Sequence, residues 1–512
     1  MVDLTSIAQG FANVCNLQGL LYISIGVFVG LMFGCIPGLS GSTAIALFIP
    51  ITYVLSAEIG IALLMGLLIG GVSGGLISAI LLNIPGTAAS FGTTFDGHPM
   101  AERGEAGKAL GTGIVFSFLG SLLSMLALLF IAPLLANFAL HFGAREYFAV
   151  ALFALTMVAS MSGKNMIKGL ISGCFGLVIA MVGIAPIDNT FRFTFGQENL
   201  VAGFSLISVL TGIFALAEIM KNAKKSRVVE KLEIAPYKFK GFGFTGKEFV
   251  EQIPNALRSA LIGIGVGILP GVGASTSNLI SYQVAKDTSK HPEKFGTGIM
   301  DGIVATETAN NATAGGAIIP LLALGVPGDV ATALLLGALT LKGIQPGPLL
   351  FTSNPGLVYT VFASLMVANI VMLVMSFGAM RVFVKLLSVS RAVLMPTIMV
   401  LCCVGAFSNG NNPFDIVMLG VFGIFGMLIQ KFDYPITPLI IGYIVGPMCE
   451  QNLRRALILG DGKCSYLFSS WIAIAFYALA LFSVFVSLRK TVIANQQAKI
   501  KGELAVEGEE DL

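Results

Sequence analysis

Long apolar stretches dominate the sequence, and they fix the class of fold before any motif is considered. Residues 58–83, 106–140 and 355–390 carry few charges, and each reaches the ~20 residues that a membrane-spanning helix needs. The composition agrees, because 55% of the residues are hydrophobic and 11% are charged, whereas a soluble domain carries about 25% charged residues. The sequence predicts an all-α polytopic membrane protein with about 10–14 transmembrane segments.

Charge and cysteine content narrow the class further. The net charge of +3 is small and locally clustered, so no binding to nucleic acid is predicted. The seven cysteines form no CxxC pair, and they are predicted to be small buried hydrophobic residues. No basic residue precedes Arg103, so the N-terminal stretch lacks the positive region of a cleaved signal peptide.

A Pro-Gly motif interrupts the apolar pattern twice, at residues 34–43 and, with the same spacing, at residues 267–276. Proline ends a helix and glycine permits close approach, and broken helices persist at membrane depth only inside protein or around a cavity. A helix that restarts after each break would aim N–H groups at a carboxylate, while freed carbonyl groups suit Na⁺. Alternatively, each Pro-Gly motif is only a kink whose small residues allow close helix–helix contact. The duplication favours a substrate site formed by Pro37, Gly38, Ser42, Thr43, Pro270, Gly271, Ser275 and Thr276.

A second pair of breaks lies further along the chain, at residues 83–87 and 325–329. Hydroxyl residues follow both breaks, so four helix ends are predicted to converge near the membrane midplane. Asp329 stands where the first copy has a threonine, and its carboxylate either binds a coupling cation or caps the following helix. The residues of this pair predicted to bind substrate are Asn83, Gly86, Thr87 and Gly328.

The repeated motifs divide the chain into two homologous halves. Lys and Arg favour cytoplasmic loops, and the basic loops change sides between the halves, which indicates inverted-topology repeats with the N-terminus outside. Arg454, Arg455 and Lys463 conflict with this assignment and leave the topology of 436–488 open. The predicted divisions are a first repeat at 1–220, a basic cytoplasmic linker at 221–247, a second repeat at 248–460, an extra C-terminal helix at 461–490 and an acidic tail at 491–512.

Two polar stretches remain to be placed. Glu307 lies between apolar segments together with Asn310 and Asn311, and an ionisable residue inside the membrane indicates function. We predict that Glu307 binds the coupling cation or a proton and that the two asparagines bind substrate. The alternative is an aqueous loop that follows Lys294. Residues 96–109 mix charges with turn formers and are predicted to form a cytoplasmic loop.

Two alternative functions deserve a test. Gly38-Leu-Ser40-Gly41 fits the GxSG pattern of intramembrane serine proteases, whose serine needs a histidine base within hydrogen-bond reach. His141 is the candidate base, but the second copy of the motif has Gly273 at the position of Ser40, so a protease, and an enzyme in general, is not predicted.

No GxxxxGK[ST] motif is present, which argues against transport driven by nucleotide hydrolysis. A carboxylate channel is the nearer alternative to a transporter.

The longer strings resemble one family. They are Ile84-Pro-Gly-Thr87, Thr94-Phe-Asp-Gly-His-Pro-Met100, Gly104-Glu-Ala-Gly-Lys108, Glu307-Thr-Ala-Asn-Asn311, Leu324-Gly-Val-Pro-Gly328 and Gly343-Ile-Gln-Pro-Gly-Pro348. With these strings, the sequence up to about residue 450 resembles TctA, the large membrane subunit of the tripartite tricarboxylate transporters.

This resemblance implies the permease subunit of a binding-protein-dependent secondary transporter that imports tricarboxylates or related organic acids, such as citrate. It implies coupling to Na⁺ or H⁺, a location in the bacterial cytoplasmic membrane and no cofactor beyond a possible Na⁺. The implied partners are the organic carboxylate substrate, a small four-helix membrane subunit, a periplasmic solute-binding protein and membrane lipid. Ser40-Gly41 stands where the family often has Gly-Pro, which leaves the exact substrate open.

Overall fold

A computed structural model describes residues 4–161, 166–223, 242–387 and 391–489. This part of the chain is almost entirely helical, and its small sheet pairs strand β1 (Gly183–Ile184) antiparallel to strand β2 (Phe191–Arg192). Six helices are long and apolar enough to cross a membrane, and four shorter apolar helices accompany them. The prediction of an all-α polytopic membrane protein is confirmed. Most of the predicted linker and all of the predicted tail lie outside the described residues.

Twenty-one α-helices are used below as landmarks. Those before the linker are α1 (Leu4–Val14), α2 (Leu17–Cys35), α3 (Gly41–Val54), α4 (Ala57–Leu82), α5 (Thr93–Met100), α6 (Ala106–Ala139), α7 (Ala144–Met161), α8 (Met166–Ala180), α9 (Leu206–Thr211) and α10 (Ala217–Ala223). Those after it are α11 (Gly246–Ile268), α12 (Gly273–Thr288), α13 (Met300–Leu324), α14 (Val330–Leu341), α15 (Leu350–Ser353), α16 (Pro355–Gly378), α17 (Met380–Leu386), α18 (Arg391–Gly410), α19 (Pro413–Lys431), α20 (Ile436–Leu459) and α21 (Trp471–Arg489).

The six candidate spans are α2, α4, the run from α5 through α6, α16, α19 and α21. In contrast, α3 and α14 have 14 and 12 residues. At 1.5 Å per residue they extend about 21 and 18 Å, which is short of the ~30 Å of a bilayer's hydrocarbon core. Their lengths therefore suit re-entrant segments that turn back within the membrane.

The chain forms two compact units, which are described separately. Unit 1 contains Met1–His141 and Phe204–Leu428, and unit 2 contains Phe142–Gly203 and Ile429–Leu512. Each unit contains residues from both predicted repeats, so the boundaries of the units do not coincide with those of the repeats. The repeat boundaries stay predictions.

Glycine on both helices allows α2 and α4 to pack with their backbones almost touching. A Cβ atom added at Gly30 would lie 2.6 Å from the carbonyl oxygen of Leu67, so any larger residue would force the helices apart. The α11–α13 pair packs in the same way, because a Cβ atom at Gly267 would lie 2.5 Å from the carbonyl oxygen of Thr313. Such small-residue contacts drive helix association where the hydrophobic effect does not.

Long helices of the two predicted repeats pack across one another in unit 1. The α11–α13 pair of the second repeat packs against α6 of the first, and α4 of the first packs against α16 of the second. As a result, α4 and α13 are the most enclosed helices of this unit, with 22 and 23 buried residues respectively. Polar side chains on these two helices are therefore removed from the surface of the chain.

Each Pro-Gly motif separates two helices. Helix α2 ends at Cys35 and α3 begins at Gly41, while α11 ends at Ile268 and α12 begins at Gly273. Gly38 and Gly271 take φ values of 90° and 84°, a left-handed conformation that favours glycine. The motif thus needs its glycine at the same point of both turns.

Unit 2 packs α20 against α7 and α8. The single helix α20 continues ten residues beyond the predicted end at 449. Its C-terminal part holds the β-hairpin through ion pairs from Glu450 to Arg192, at 2.6 Å, and from Arg454 to Asp188, at 3.0 Å. The charge of Arg454, which conflicted with the predicted orientation, is therefore compensated within unit 2.

Two predictions about exposure are wrong. Residues 96–109 do not form one aqueous loop, because α5 covers the first five of them and Asp96 is fully buried, leaving only 102–105 exposed. The turn formers in this stretch were misleading, since Asp96 accepts hydrogen bonds from the segment that leads into α13. The cysteines are also not uniformly buried: Cys15, Cys174 and Cys464 are exposed.

Candidate functional site

Helix α13 carries three of the predicted site residues in its buried centre. Glu307 and Asn310 are 0% exposed, and Asn311 is 1% exposed. The helix is surrounded by α6, α11, α12, α5 and α4. The alternative that placed Glu307 in an aqueous loop is therefore wrong.

Two hydroxyl groups hold the Glu307 carboxyl group. Thr93 of α5 donates to Oε1 at 2.5 Å, and Ser117 of α6 donates to Oε2 at 3.0 Å. No basic side chain of the described residues pairs with Glu307. Since an unpaired buried charge is costly, this arrangement calls for a proton or a bound cation.

The side-chain amides of Asn310 and Asn311 differ in how fully they are hydrogen-bonded. Asn311 accepts from Ser73 at 2.7 Å and donates to the Glu307 carbonyl oxygen at 3.1 Å, so its amide is committed to the protein. Asn310 donates to the carbonyl oxygen of Val72 at 3.3 Å, but its buried Oδ1 has no partner among the described residues. A free acceptor suits a cation or a substrate hydroxyl, and it does not suit a carboxylate.

Helix α4 brings the first-half breaks next to this cluster. Helix α3 starts at Gly41, which packs closely on Gly71 of α4: a Cβ atom at Gly71 would lie 2.4 Å from the Cα atom of Gly41. The next residue of α4, Val72, carries the carbonyl group to which Asn310 donates. Further along α4, a Cβ at Gly75 would lie 2.8 Å from the hydroxyl oxygen of Thr87, which has no hydrogen-bond partner among the described residues. Both first-half breaks therefore flank the polar part of α13.

Asn278 of α12 fixes the first-half break from the other repeat. Its Nδ2 donates to the carbonyl oxygen of Ala89 at 2.8 Å, and its Oδ1 accepts the N–H of Gly92 at 3.0 Å. The sequence interpretation missed this residue, although a polar amide three positions after Ser275 was a usable signal. Asn83, at the start of the same break, ends α4 in a left-handed conformation with φ 54°, which asparagine tolerates well.

The N-termini of α3 and α12, the helices that follow the two Pro-Gly motifs, are capped differently. Ser40 caps α3 by accepting the N–H of Thr43 at 3.1 Å. Helix α12 follows Val272, which supplies no capping side chain, and the half-buried Ser275 and Thr276 make no side-chain hydrogen bond within the described residues. The N-terminus of α12 therefore offers more unused donors than that of α3.

Asp329 caps α14. Its Oδ1 accepts the N–H of Thr332 at 2.8 Å and the Thr332 hydroxyl at 2.7 Å, and the Thr332 hydroxyl in turn accepts the N–H of Asp329. Of the two roles predicted for this carboxylate, the helix cap is the one that the geometry displays. A cation role remains a prediction.

Asp96 is a buried carboxylate that the sequence interpretation left in a loop. Its Oδ1 accepts the N–H groups of Gly296, Gly298 and Ile299 at 2.9, 2.8 and 3.1 Å, and its Oδ2 accepts the Tyr282 hydroxyl at 2.9 Å. Hydrogen bonds to an ionised acceptor are about twice as strong as neutral ones. Asp96 thereby fastens α5 to the segment that leads into α13.

Within the described residues, neither His98 nor His141 hydrogen-bonds to the Ser40 hydroxyl group. The Ser40 hydroxyl contacts the Thr43 hydroxyl at 2.9 Å as well as its N–H. His141, the candidate base, contacts the carbonyl oxygen of Phe138 at 3.2 Å, and His98 contacts that of Ile80 at 3.0 Å. Ser40 is thus a helix cap, and the second copy, which has Gly273 at the equivalent position, has no side-chain cap on α12.

The long apolar helices of the described chain, broken around a buried polar centre, define an integral membrane protein. The sequence matches the model of the tripartite tricarboxylate transporter TctA family over residues 20–441. This chain belongs to that family, and it is therefore a component of a tripartite tricarboxylate transporter.

Two similar proteins come from Agrobacterium vitis. An uncharacterised 52.8 kDa protein in the TAR-I ttuC' 3' region is 34% identical over 493 residues, which cover 96% of this chain and 98% of that protein. An uncharacterised protein in the TAR-II ttuC' 3' region is 36% identical over 227 residues, 44% of this chain and 94% of that protein. No solved structure matches the chain.

Proposed function

We propose that this protein is the permease subunit that imports tricarboxylates or related organic acids, citrate among them, across the bacterial cytoplasmic membrane. It acts with a small four-helix membrane subunit and a periplasmic solute-binding protein that delivers the substrate. The observation that supports this most is the fully buried Glu307 carboxyl group, which has no basic partner in the described chain. Such a group makes the cycle sensitive to a cation or proton.

The N-terminus of α12 is the best candidate for holding a substrate carboxylate. Within the described residues, no side chain caps its first N–H groups, and the hydroxyl groups of Ser275 and Thr276 make no hydrogen bond. Helix N-termini attract anions through these N–H groups and the positive end of the helix dipole. The breaks around Gly38, Gly86 and Gly328 supply backbone groups on the other sides of the proposed site.

The coupling ion is proposed to act at Glu307. Either Na⁺ or H⁺ would neutralise the carboxylate, and the free Oδ1 of Asn310 supplies a second oxygen on the same helix face, one turn away. Oxygen ligands suit a hard cation such as Na⁺. Asp329 is the second candidate, but using it for a cation would compete with its cap on Thr332.

Reconstitution tests this proposal. The chain is placed in vesicles with its two partners, and uptake of labelled citrate is measured under a Na⁺ gradient, under a pH gradient and under neither. We expect accumulation above equilibrium with one of the gradients, and its loss in Glu307→Gln. The matched control is Asp301→Asn, since Asp301 lies on the same helix but in its first turn.

The same assay separates the alternatives. Accumulation that ignores both gradients contradicts coupling, and equilibration without accumulation favours a carboxylate channel. Ser40→Ala should leave uptake largely intact if the protein is a transporter, because Ser40 contributes a helix cap. A peptide-cleaving activity that disappears in Ser40→Ala would instead favour the intramembrane protease.

A further inference from the structure

Helix α5 lies between the Glu307 site and the first-half break, and it touches both. Thr93, the first residue of α5, is fully buried and donates to the Glu307 carboxyl group at 2.5 Å. The residue before it, Gly92, ends the segment 83–92, which contains the break at 83–87 and leads into α5, and it donates its N–H to Asn278 Oδ1 at 3.0 Å. No other contact in the described chain joins the carboxyl group to the break so directly.

The Thr93 hydroxyl has a choice between two acceptors. It has a single hydrogen, which points to Glu307 Oε1 at 2.5 Å or to the Thr306 hydroxyl oxygen at 3.2 Å. Thr306 uses its own hydrogen on the carbonyl oxygens of Gly302 and Ile303, at 2.9 and 3.1 Å, so it can only accept from Thr93. The bond to Glu307 is preferred when the carboxyl group is charged, because charge-assisted hydrogen bonds are the stronger ones.

We propose that Thr93 is a positioning residue that links the charge state of the Glu307 carboxyl group to the position of the segment 83–92, which contains the break at 83–87. With Glu307 ionised, Thr93 is drawn onto α13 and the break is held against Asn278. When a proton or cation neutralises Glu307, this pull weakens and the Thr93 hydroxyl turns to Thr306. The break, which contains Gly86 and Thr87, then loosens.

Asn278 makes the link specific to this break. Its Nδ2 contacts the carbonyl oxygens of both Ala89 and Thr306, at 2.8 and 3.4 Å. The fit is close, because a Cβ atom at Gly92 would lie 2.1 Å from Asn278 Oδ1. A shift of Thr93 relative to Thr306 therefore changes both sides of the Asn278 bridge. The inference rests on the proposed ion-binding role of Glu307, to which it adds the element that responds.

Hydrogen exchange tests this without any transport measurement. The full-length protein is studied in lipid nanodiscs at alkaline pH, a condition that favours a carboxylate over a carboxylic acid, and exchange is followed for amides 83–92. Glu307→Gln should accelerate their exchange about fivefold, the difference between a hydrogen bond to a charged acceptor and one to a neutral acceptor. Thr93→Val should have a similar effect, and Thr93→Ser, which keeps the hydroxyl, should behave as the wild type.

The decisive comparison is the double variant Thr93→Val/Glu307→Gln. Residues that act through one contact give non-additive effects, so the double variant should exchange no faster than either single one. Ser117→Ala is the matched control, since Ser117 contacts the other carboxyl oxygen from α6, away from the break. We expect no change at 83–92 in that variant.

Three results would overturn the inference: wild-type exchange in Thr93→Val, independent multiplication of the two effects in the double variant, or an equal acceleration in Ser117→Ala. Should Thr93→Val fail to fold, Thr93→Ala takes its place in the same comparison. Failure of the proposed transport function is a separate outcome, because it is read from citrate uptake by the wild-type complex and not from amide exchange.

Discussion

Gly271 donates its backbone N–H to the carbonyl oxygen of Gly328 at 2.6 Å, so the two breaks of the second repeat are joined directly. In the first repeat, Gly86 occupies the position equivalent to Gly328 and packs against Gly34, whose carbonyl oxygen would lie 2.2 Å from an added Cβ. Backbone groups freed by a break need partners at membrane depth. In the predicted second repeat the second break therefore supplies part of that compensation, while in the predicted first repeat the two breaks are in close packing contact.

The close packing of α11 on α13 predicts different outcomes for two glycines of one helix. Gly267→Ala places a methyl group 2.5 Å from the Thr313 carbonyl oxygen, whereas a Cβ atom at Gly265 meets nothing within 4 Å. We expect Gly267→Ala to destabilise the protein by about 1–3 kcal/mol, the usual cost of overpacking. Gly265→Ala should be neutral or slightly stabilising, and thermal unfolding in detergent compares the two. Equal midpoints would contradict the packing.

The unpaired burial of Glu307 predicts that loss of function and loss of stability will separate. Glu307→Gln keeps the shape of the side chain, and its single amide oxygen can accept from one of the Thr93 and Ser117 hydroxyl groups while its NH2 group donates to the other. The substitution also removes a buried charge that is costly when unpaired. We expect a thermal midpoint at or above the wild-type value, together with uptake of citrate that no longer responds to a cation gradient. A folded variant with fully gradient-driven uptake would exclude Glu307 as the coupling group.

Asp96 is expected to be structural, and its replacement should be costly. Asp96→Ala leaves the N–H groups of Gly296, Gly298 and Ile299 without their acceptor. Because a hydrogen bond to a charged group contributes about 1.5–3 kcal/mol, we expect a loss of about 3 kcal/mol or more. Asp96→Asn should lose less, since one amide oxygen can still accept. Both are compared with Asp301→Asn by thermal unfolding, and a wild-type midpoint in Asp96→Ala would refute this role.

Much of the fold could be predicted because the bilayer restricts the backbone to a few solutions. Apolar stretches of sufficient length gave α4 and α6 with ends within a residue or two of the predicted ones, and Pro-Gly pairs marked the ends of α2 and α11. These signals are local. The burial of Glu307 in α13 was also predictable, because a lone carboxylate in an apolar setting has few alternatives.

Long-range contacts account for what sequence reasoning missed. Asp96 is surrounded by turn formers and charges, and its burial depends on N–H groups some 200 positions away at Gly296 and Gly298. Asn278 is likewise defined by its contact with Gly92 in the other repeat. No periodicity or spacing within one segment encodes such pairs, since each residue satisfies a backbone group of a distant segment.

An ion pair at the start of α11 predicts a pH dependence. Lys108 contacts Glu248, which also completes a capping box with Thr245. The hydrogen bond from Lys108, together with those from the Thr245 N–H and hydroxyl groups, lowers the pKa of Glu248 from 4.5 to about 2. Because the pKa of Glu248 is lower in the folded state than in the unfolded state, its ionised carboxylate stabilises the fold at pH values above the unfolded pKa. This stabilisation is lost as the pH falls from 4.5 towards 2.

Glu248→Gln should therefore lower the thermal midpoint slightly at neutral pH and have no effect near the lower end of that range. The size should be small, because partly exposed ion pairs contribute about 1 kcal/mol or less. Glu251→Gln is the control, since its pair with Lys247 is longer, at 3.9 Å, and more exposed. A deficit that persists unchanged in acid would show that the cap geometry, and not the charge, stabilises α11.

The difference between the two restarted helices predicts which one binds the substrate carboxylate more strongly. At α3, Ser40 already occupies the N–H of Thr43, whereas α12 has no capping side chain. Ser275→Ala and Thr276→Val should each weaken citrate binding about tenfold, as expected for a lost hydrogen bond to a charged group. Ser42→Ala should weaken it less than about twofold, because the N–H groups around it are partly satisfied. The dissociation constant of citrate from the reconstituted complex measures this. An equal loss at both helices would mean that the pseudo-symmetric breaks share the carboxylate, and a larger loss at Ser42 would assign the site to α3.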